Sequence, residues 1–345
     1  MSVDVSYVPS EPRRSPVGGI QSAAEVAFVM GSSFVAAILI QAVIEPSLGQ
    51  SLLGSEGSPN LWAASSAMLQ QFAAQYGVLL ALVLLIGWWR GRRAARAYAL
   101  TRGKLSPREI VRYGVALGLL AGLPGTVLLL IQEYAPIGAE PPMWTVLRGA
   151  PKDASFWLFM AVASFALVPI LEELAWRGYI LGRFTETIGP GAAVVATALP
   201  MALAHTQYSS LDPAMMMATL AVLTLSFATT LATIRTGSVW PAVVGHAITN
   251  FPIHGMLGPA KLIAALLVLM FFWKKIAGEL GNWARILFRK DSLQAVPALA
   301  TLGGFLAVLL WSMSIHRPAI AIGLALVALA TIAFSRSAWR SRPAA

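Results

Sequence analysis

Long apolar runs, one after another, leave this chain little choice of fold. Ten can be read from it: Val26–Ile44, Leu69–Trp89, Ile110–Ile131, Phe156–Tyr179, Gly191–His205, Ala214–Ile234, Val239–Ile253, Leu262–Trp273, Val296–Ser314 and Ala319–Phe334. About 20 apolar residues in a helix cover the roughly 30 Å of a bilayer's hydrocarbon core. No water is available there to satisfy the backbone, so repeated spans have to be helices packed together. The expectation is therefore an all-α fold, a polytopic transmembrane helical bundle of about ten spans. The composition agrees, with 57% hydrophobic and 12% charged residues, where a soluble domain is about a quarter charged. The fifth, seventh and eighth runs are short, as suits helices buried against their neighbours.

The formal charge of +10 would suit nucleic acid on a soluble face, but here the basic residues lie between the spans. If the linker Arg90 to Arg108 is cytoplasmic, 21 of the 25 basic residues fall on that side. Only Arg148, Lys152, Lys261 and Arg317 fall outside. That is a strong positive-inside bias and places both termini in the cytoplasm. Cysteine is absent, which excludes disulfides, thiolate nucleophiles and cysteine-held zinc. Residues 1–25 are polar and proline-rich and read as a disordered cytoplasmic tail without a secretory signal. Residues 26–153 hold spans one to three, 154–258 spans four to seven, and 259–345 the last three with a basic tail. No internal repeat is evident.

Against this apolar background, Glu172-Glu173-Leu174-Ala175-Trp176-Arg177 stands out inside the fourth span. Each ionised side chain at mid-bilayer costs about 2.5–3.5 kcal/mol on insertion scales, so such groups are paired or have a task. Glu173 and Arg177 are four apart in the favourable acid-before-base order. Glu172 points about 100° away and is left to face a cavity. Pro169 should loosen the helix and release the carbonyl of Phe165. Two further polar places follow: His205, closing Met201 to His205, and His246 with Asn250, four apart on one helical face. With a turn near Gly189-Pro190, Glu172 and His205 come to similar depth, within about 5 Å. Each signal also has a plainer reading. The pair Glu173–Arg177 can be purely structural, His205 interfacial, and His246 with Asn250 interhelical glue. His254 and His316 fall in outer loops, and Met215 to Met217 reads as packing rather than a copper site.

The three motifs together resemble the CAAX prenyl protease and bacteriocin-processing (CPBP, or ABI) family. It has a Glu-Glu-x-x-x-Arg motif, an aromatic-x-x-x-His motif and a His-x-x-x-Asn/Asp motif. Met201 departs from the family's usual aromatic, and the resemblance covers roughly residues 154–253. It implies an intramembrane endopeptidase in which Glu172 is the general base, His205 assists, and His246 and Asn250 form the oxyanion hole. Glu173 and Arg177 would be structural support. A carboxylate and an imidazole are suitable proton carriers, and an amide is a suitable oxyanion donor. The resemblance implies no cofactor, with zinc held by Glu172, His205 and His246 as the alternative. The partners implied are membrane lipids and a peptide or protein substrate, lipidated or not, with no nucleic acid; the composition suits a bacterial inner membrane. Two other classes stay open: a non-proteolytic immunity or scaffold protein, and a proton-coupled transporter.

Overall fold

The computed structural model describes residues 16–44, 76–85, 99–103, 105–139, 160–205, 211–251, 257–289 and 295–314, with single residues at 154, 158, 208 and 293. The expected tenth span, the segment 1–15, the loop Pro46–Met68, most of the loop Gln132–Ala154, His254, His316 and the basic tail lie outside the described residues. Every regular element among those described is helical. In chain order they are α1 (Pro16–Ile44), α2 (Tyr76–Leu85), α3 (Pro107–Ala121) and α4 (Leu123–Tyr134). Next come α5 (160–188), α6 (Pro190–Ala204), α7 (Pro213–Thr236), α8 (Trp240–Thr249), α9 (Leu257–Leu287) and α10 (Ala295–Ser314).

By length and composition α7 can cross a bilayer, and α3 with α4 can do so as one span bent by 46°. The bend explains why the expected third span divides. Gly122 closes α3 and opens α4, and Pro124 in the first turn of α4 removes an amide from the junction. Ser106 caps α3 in a reciprocal box with Glu109, whose amide lies 3.3 Å from the serine oxygen. Gly237, at φ 66°, ends α7 in the left-handed conformation that glycine adopts without strain. Gly189, at φ 87°, makes the turn between α5 and α6 where the sequence places it.

Loop ends that the basic-residue count assigns to one side lie together. The Val239 amide donates to the Ala99 carbonyl (2.9 Å) and the Trp240 indole to the Leu100 carbonyl (3.2 Å). At the opposite ends, Asp212 caps α7 through the Ala214 amide (2.9 Å) and also accepts from the Ala139 amide (2.8 Å).

Three boundaries differ from expectation, each for a physical reason. First, α1 begins at Pro16, so residues 16–25 are not part of a disordered tail. Glu25 is buried and accepts from the Arg183 Nε (2.9 Å), the Arg183 Nη2 (3.0 Å) and the Tyr179 hydroxyl (2.8 Å). This attaches α1 to α5. Second, the expected eighth span Leu262–Trp273 is the middle of a 31-residue helix. Nothing in Lys274 to Leu287 breaks it, and Glu279 fastens its far half by accepting from the Tyr113 hydroxyl (3.0 Å) and pairing with Arg235 (3.4 Å). Third, α5 is not one regular helix. It runs as a π segment Met160–Leu167, an α segment Val168–Glu173, a second π segment Leu174–Ile180 and an α segment Leu181–Ile188.

The main core gathers α1, α2, α5, α6 and α10 around residues such as Val26, Leu79, Tyr179, Phe184 and Ala193. A second, closer contact seats α8 on α3. Gly114, Gly118 and Gly122 form a small-residue stripe with a spacing of four, which lets two backbones approach. A Cβ on Gly114 would come within 2.5 Å of the Val244 Cβ, and one on Gly118 within 2.7 Å of the Ile248 Cβ. The Thr249 hydroxyl crosses the same seam to the Gly118 carbonyl (3.2 Å).

Two outcomes are expected. Gly118→Val pushes α8 off α3 against backbone and Cβ atoms that cannot swing aside, so melting temperature and function fall together; overpacking typically costs about 1–3 kcal/mol. For Asp212, hydrogen bonds led by the Ala139 amide hold the carboxyl below its ordinary value of 3.8. Its stabilisation is present above that value and is lost as pH falls through the lower folded value. The melting-temperature gap between wild type and Asp212→Asn, measured from pH 7 down to pH 3, should therefore narrow at the acid end.

Candidate active site

The site is built on the middle of α5. Pro169 has no amide to donate, and it opens the α segment that follows the π segment Met160–Leu167. The Asn250 Nδ2 donates to Ser164 O at 3.2 Å. Asn250 is the C-cap of α8, so this bond ties the end of α8 to the loosened turn of α5. Phe165 and Phe251 stack beside it with ring centroids 5.3 Å apart.

A few residues further along, the two carboxylates have separate partners. Glu173 is wholly buried, and its Oε1 accepts from the Arg177 Nη1 (3.2 Å) and faces the His246 Nδ1 (2.8 Å). The i,i+4 ion pair with Arg177 is present; the contact with His246 is one that sequence spacing does not reveal. Arg177 is in turn held by Ser226, through its carbonyl (3.1 Å) and hydroxyl (3.2 Å), and lies against the Met201 sulfur. Met201, where the motif departs from an aromatic, therefore packs on the guanidinium. The Ser226 hydroxyl also donates to the Ala198 carbonyl (3.0 Å), so α5, α6 and α7 are joined around Arg177.

Glu172 faces elsewhere and is 8% exposed. Its Oε1 accepts from the Tyr76 hydroxyl of α2 at 2.5 Å, while Oε2 has no partner among the described residues. Nothing in the sequence near Tyr76 marks it, because the contact spans 96 positions.

His205 closes α6 and is half-buried. Its Nδ1 lies 2.8 Å from the Met201 carbonyl. A carbonyl only accepts, so Nδ1 is the donor and Nε2 is the nitrogen left for other partners. The ring stacks on Tyr208 at 6.4 Å. The same logic applies to His246: with Nδ1 on Glu173, Nε2 is the nitrogen left for other partners. The structure thus links Glu173, Arg177 and His246 directly, holds Asn250 to α5 beside them, and gives Glu172 and His205 separate attachments. Among the described residues no three His, Asp or Glu side chains cluster as a metal centre would require. Glu172, His205 and His246 are thus not gathered as a zinc site in this arrangement.

The site thus sets an acid, an imidazole and an amide close together within a helical bundle. The comparison with known families narrows this. Residues 154–252 match the family described as Type II CAAX prenyl endopeptidase Rce1-like, so that segment is similar to the CAAX protease family. The match contains all three motifs. No curated protein and no solved structure matches the chain.

Glu173→Gln should affect two properties at once. It removes the negative charge that faces both Arg177 and His246, and breaking a buried pair typically costs about 3–5 kcal/mol. A lower melting temperature is expected together with loss of function. Wild-type stability with function lost would instead place Glu173 among the reacting groups.

Proposed function

We propose that the protein is an intramembrane endopeptidase that hydrolyses a peptide bond by glutamate-activated water. Glu172 is the general base, acting through Oε2, and His205 assists through its Nε2. Attack of the water on the scissile carbonyl generates an oxyanion. His246 donates to it through Nε2, for which the ring has to carry both protons, and Glu173 supplies the negative partner that this form needs. Asn250 has two Nδ2 hydrogens; one is engaged by Ser164 and the other is available for the oxyanion. As the tetrahedral intermediate collapses and its C–N bond breaks, Glu172 returns the proton it took from water to the leaving amine.

The observation that carries this reading is the division of labour between the adjacent carboxylates. Glu173 is committed through its Oε1 to Arg177 and His246, whereas Glu172 has no cationic hydrogen-bond partner among the described residues and holds only the Tyr76 hydroxyl. A purely structural pair would need only the first. The catalytic step needs no metal ion in this reading. The substrate is a membrane-associated protein or peptide, lipidated or not, and the basic loops and both termini face the cytoplasm of a bacterial inner membrane.

Glu172→Gln keeps size and polarity but cannot take the proton. Cleavage should fall by at least about 10²–10⁴-fold, with the melting temperature close to wild type. Chelators should leave the wild type active. Stoichiometric zinc whose removal and return switch activity off and on would recast Glu172, His205 and His246 as ligands. Unchanged biological activity in Glu172→Gln would favour a scaffold or immunity role.

A further inference from the structure

We propose that Tyr76 is a positioning residue for Glu172, so that the working site includes α2, a helix outside the family-matched segment 154–252. The inference rests on the hydrolytic reading above and adds to it a group that none of the three motifs contains. The terminal torsion of a glutamate is soft, with a broad two-fold profile rather than discrete wells. A carboxylate acting as base has to present one oxygen to water within hydrogen-bond reach, and misplacement by about 1 Å can cost 10²-fold.

On α5 itself Glu172 has no group to fix that torsion, because Arg177 engages Glu173. Tyr76 supplies the restraint from across the bundle. Its hydroxyl donates to Oε1 at 2.5 Å, and both side chains are buried. A carboxylate has no hydrogen to offer, so the phenol is the donor, and charge-assisted O–H···O bonds are among the short, strong ones. With Oε1 occupied, Oε2 is the oxygen left for water. The ring is itself fixed: Tyr76 packs in the same core cluster as Leu79, Trp176 and Tyr179. The same helix face of α5 is tied to α1 through Tyr179, Arg183 and Glu25, so the N-terminal helices are anchored where Tyr76 acts.

The test uses the purified full chain in lipid nanodiscs, with a fluorogenic farnesylated CAAX-type peptide as probe. Tyr76→Phe keeps the ring and its packing and removes only the hydroxyl. The expected result is a kcat lower by about 10–100-fold, with KM within about twofold and an unchanged melting temperature. In a Glu172→Gln background Tyr76→Phe should have no further effect on rate. An infrared arm reads the contact without turnover: the Glu172 carboxylate stretch, assigned as the band lost in Glu172→Gln, should shift in Tyr76→Phe. If Tyr76→Phe lowers the melting temperature, 3-fluorotyrosine at position 76 replaces it, retaining fold and bond while moving the same band. Wild-type kcat in a folded Tyr76→Phe variant, alongside an inactive Glu172→Gln, overturns the proposal and leaves the hydrolytic reading intact. Should the wild type not cleave the probe, or Glu172→Gln cleave it as well as wild type, the hydrolytic reading is what fails. The infrared arm then decides the contact alone, and an unmoved band overturns it.

Discussion

Glu173 is the charge around which the rest of the bundle is arranged. It is fully buried, and a lone carboxylate there would cost several kcal/mol in effective desolvation. Arg177 and His246 both approach its Oε1, so a residue of α5 fixes the orientation of a ring on α8. Arg177 passes the constraint on to Ser226 of α7 and Met201 of α6. Four helices are therefore positioned by one anion. Because buried ion pairs contribute little net stability over apolar packing, what this cluster supplies is geometry: it specifies which nitrogen of His246 points outward.

Departures from regular helix on α5 serve the same end. Two π segments bracket the glutamates, and π turns concentrate at functional sites because they redirect side chains and backbone groups that an α register would hide. The Ser164 carbonyl is one such group, and Asn250 is seated by it. On the far side of α8, the stripe Gly114, Gly118 and Gly122 removes the side chains that would hold α3 away. His246 and Asn250 are thus placed by close backbone packing on one side and polar contacts on the other.

Much of this was legible in the sequence, and the rest was hidden for identifiable reasons. Apolar periodicity announced the helices, and fixed spacings announced the Glu173–Arg177 pair, since both are local properties of the chain. The bend at Gly122 and the glycine stripe are also local, written in Gly-Leu-Pro and a spacing of four. The Tyr76–Glu172, His246–Glu173 and Glu25–Arg183 contacts join residues 96, 73 and 158 positions apart. Such pairings depend on which helices become neighbours, which no local pattern encodes. Glu25 shows the consequence: read alone it ended a polar tail, whereas the buried Arg183 draws it into the core.

The order in which these partners occur along the chain bears on how the glutamates enter the membrane during synthesis. Chains are made from the N-terminus, at about 5–20 residues per second. When residues 172 and 173 emerge, His246 is still more than 70 positions away. Arg177 follows within one helical turn and can neutralise Glu173 at once, inside the same segment. Tyr76 is already made and can offer its hydroxyl to Glu172 as α5 arrives. Each acid therefore has a cover that precedes or accompanies it, and only the ring that completes the centre comes late. Insertion of the segment and completion of the Glu173–Arg177–His246 cluster are separated in time by the sequence itself.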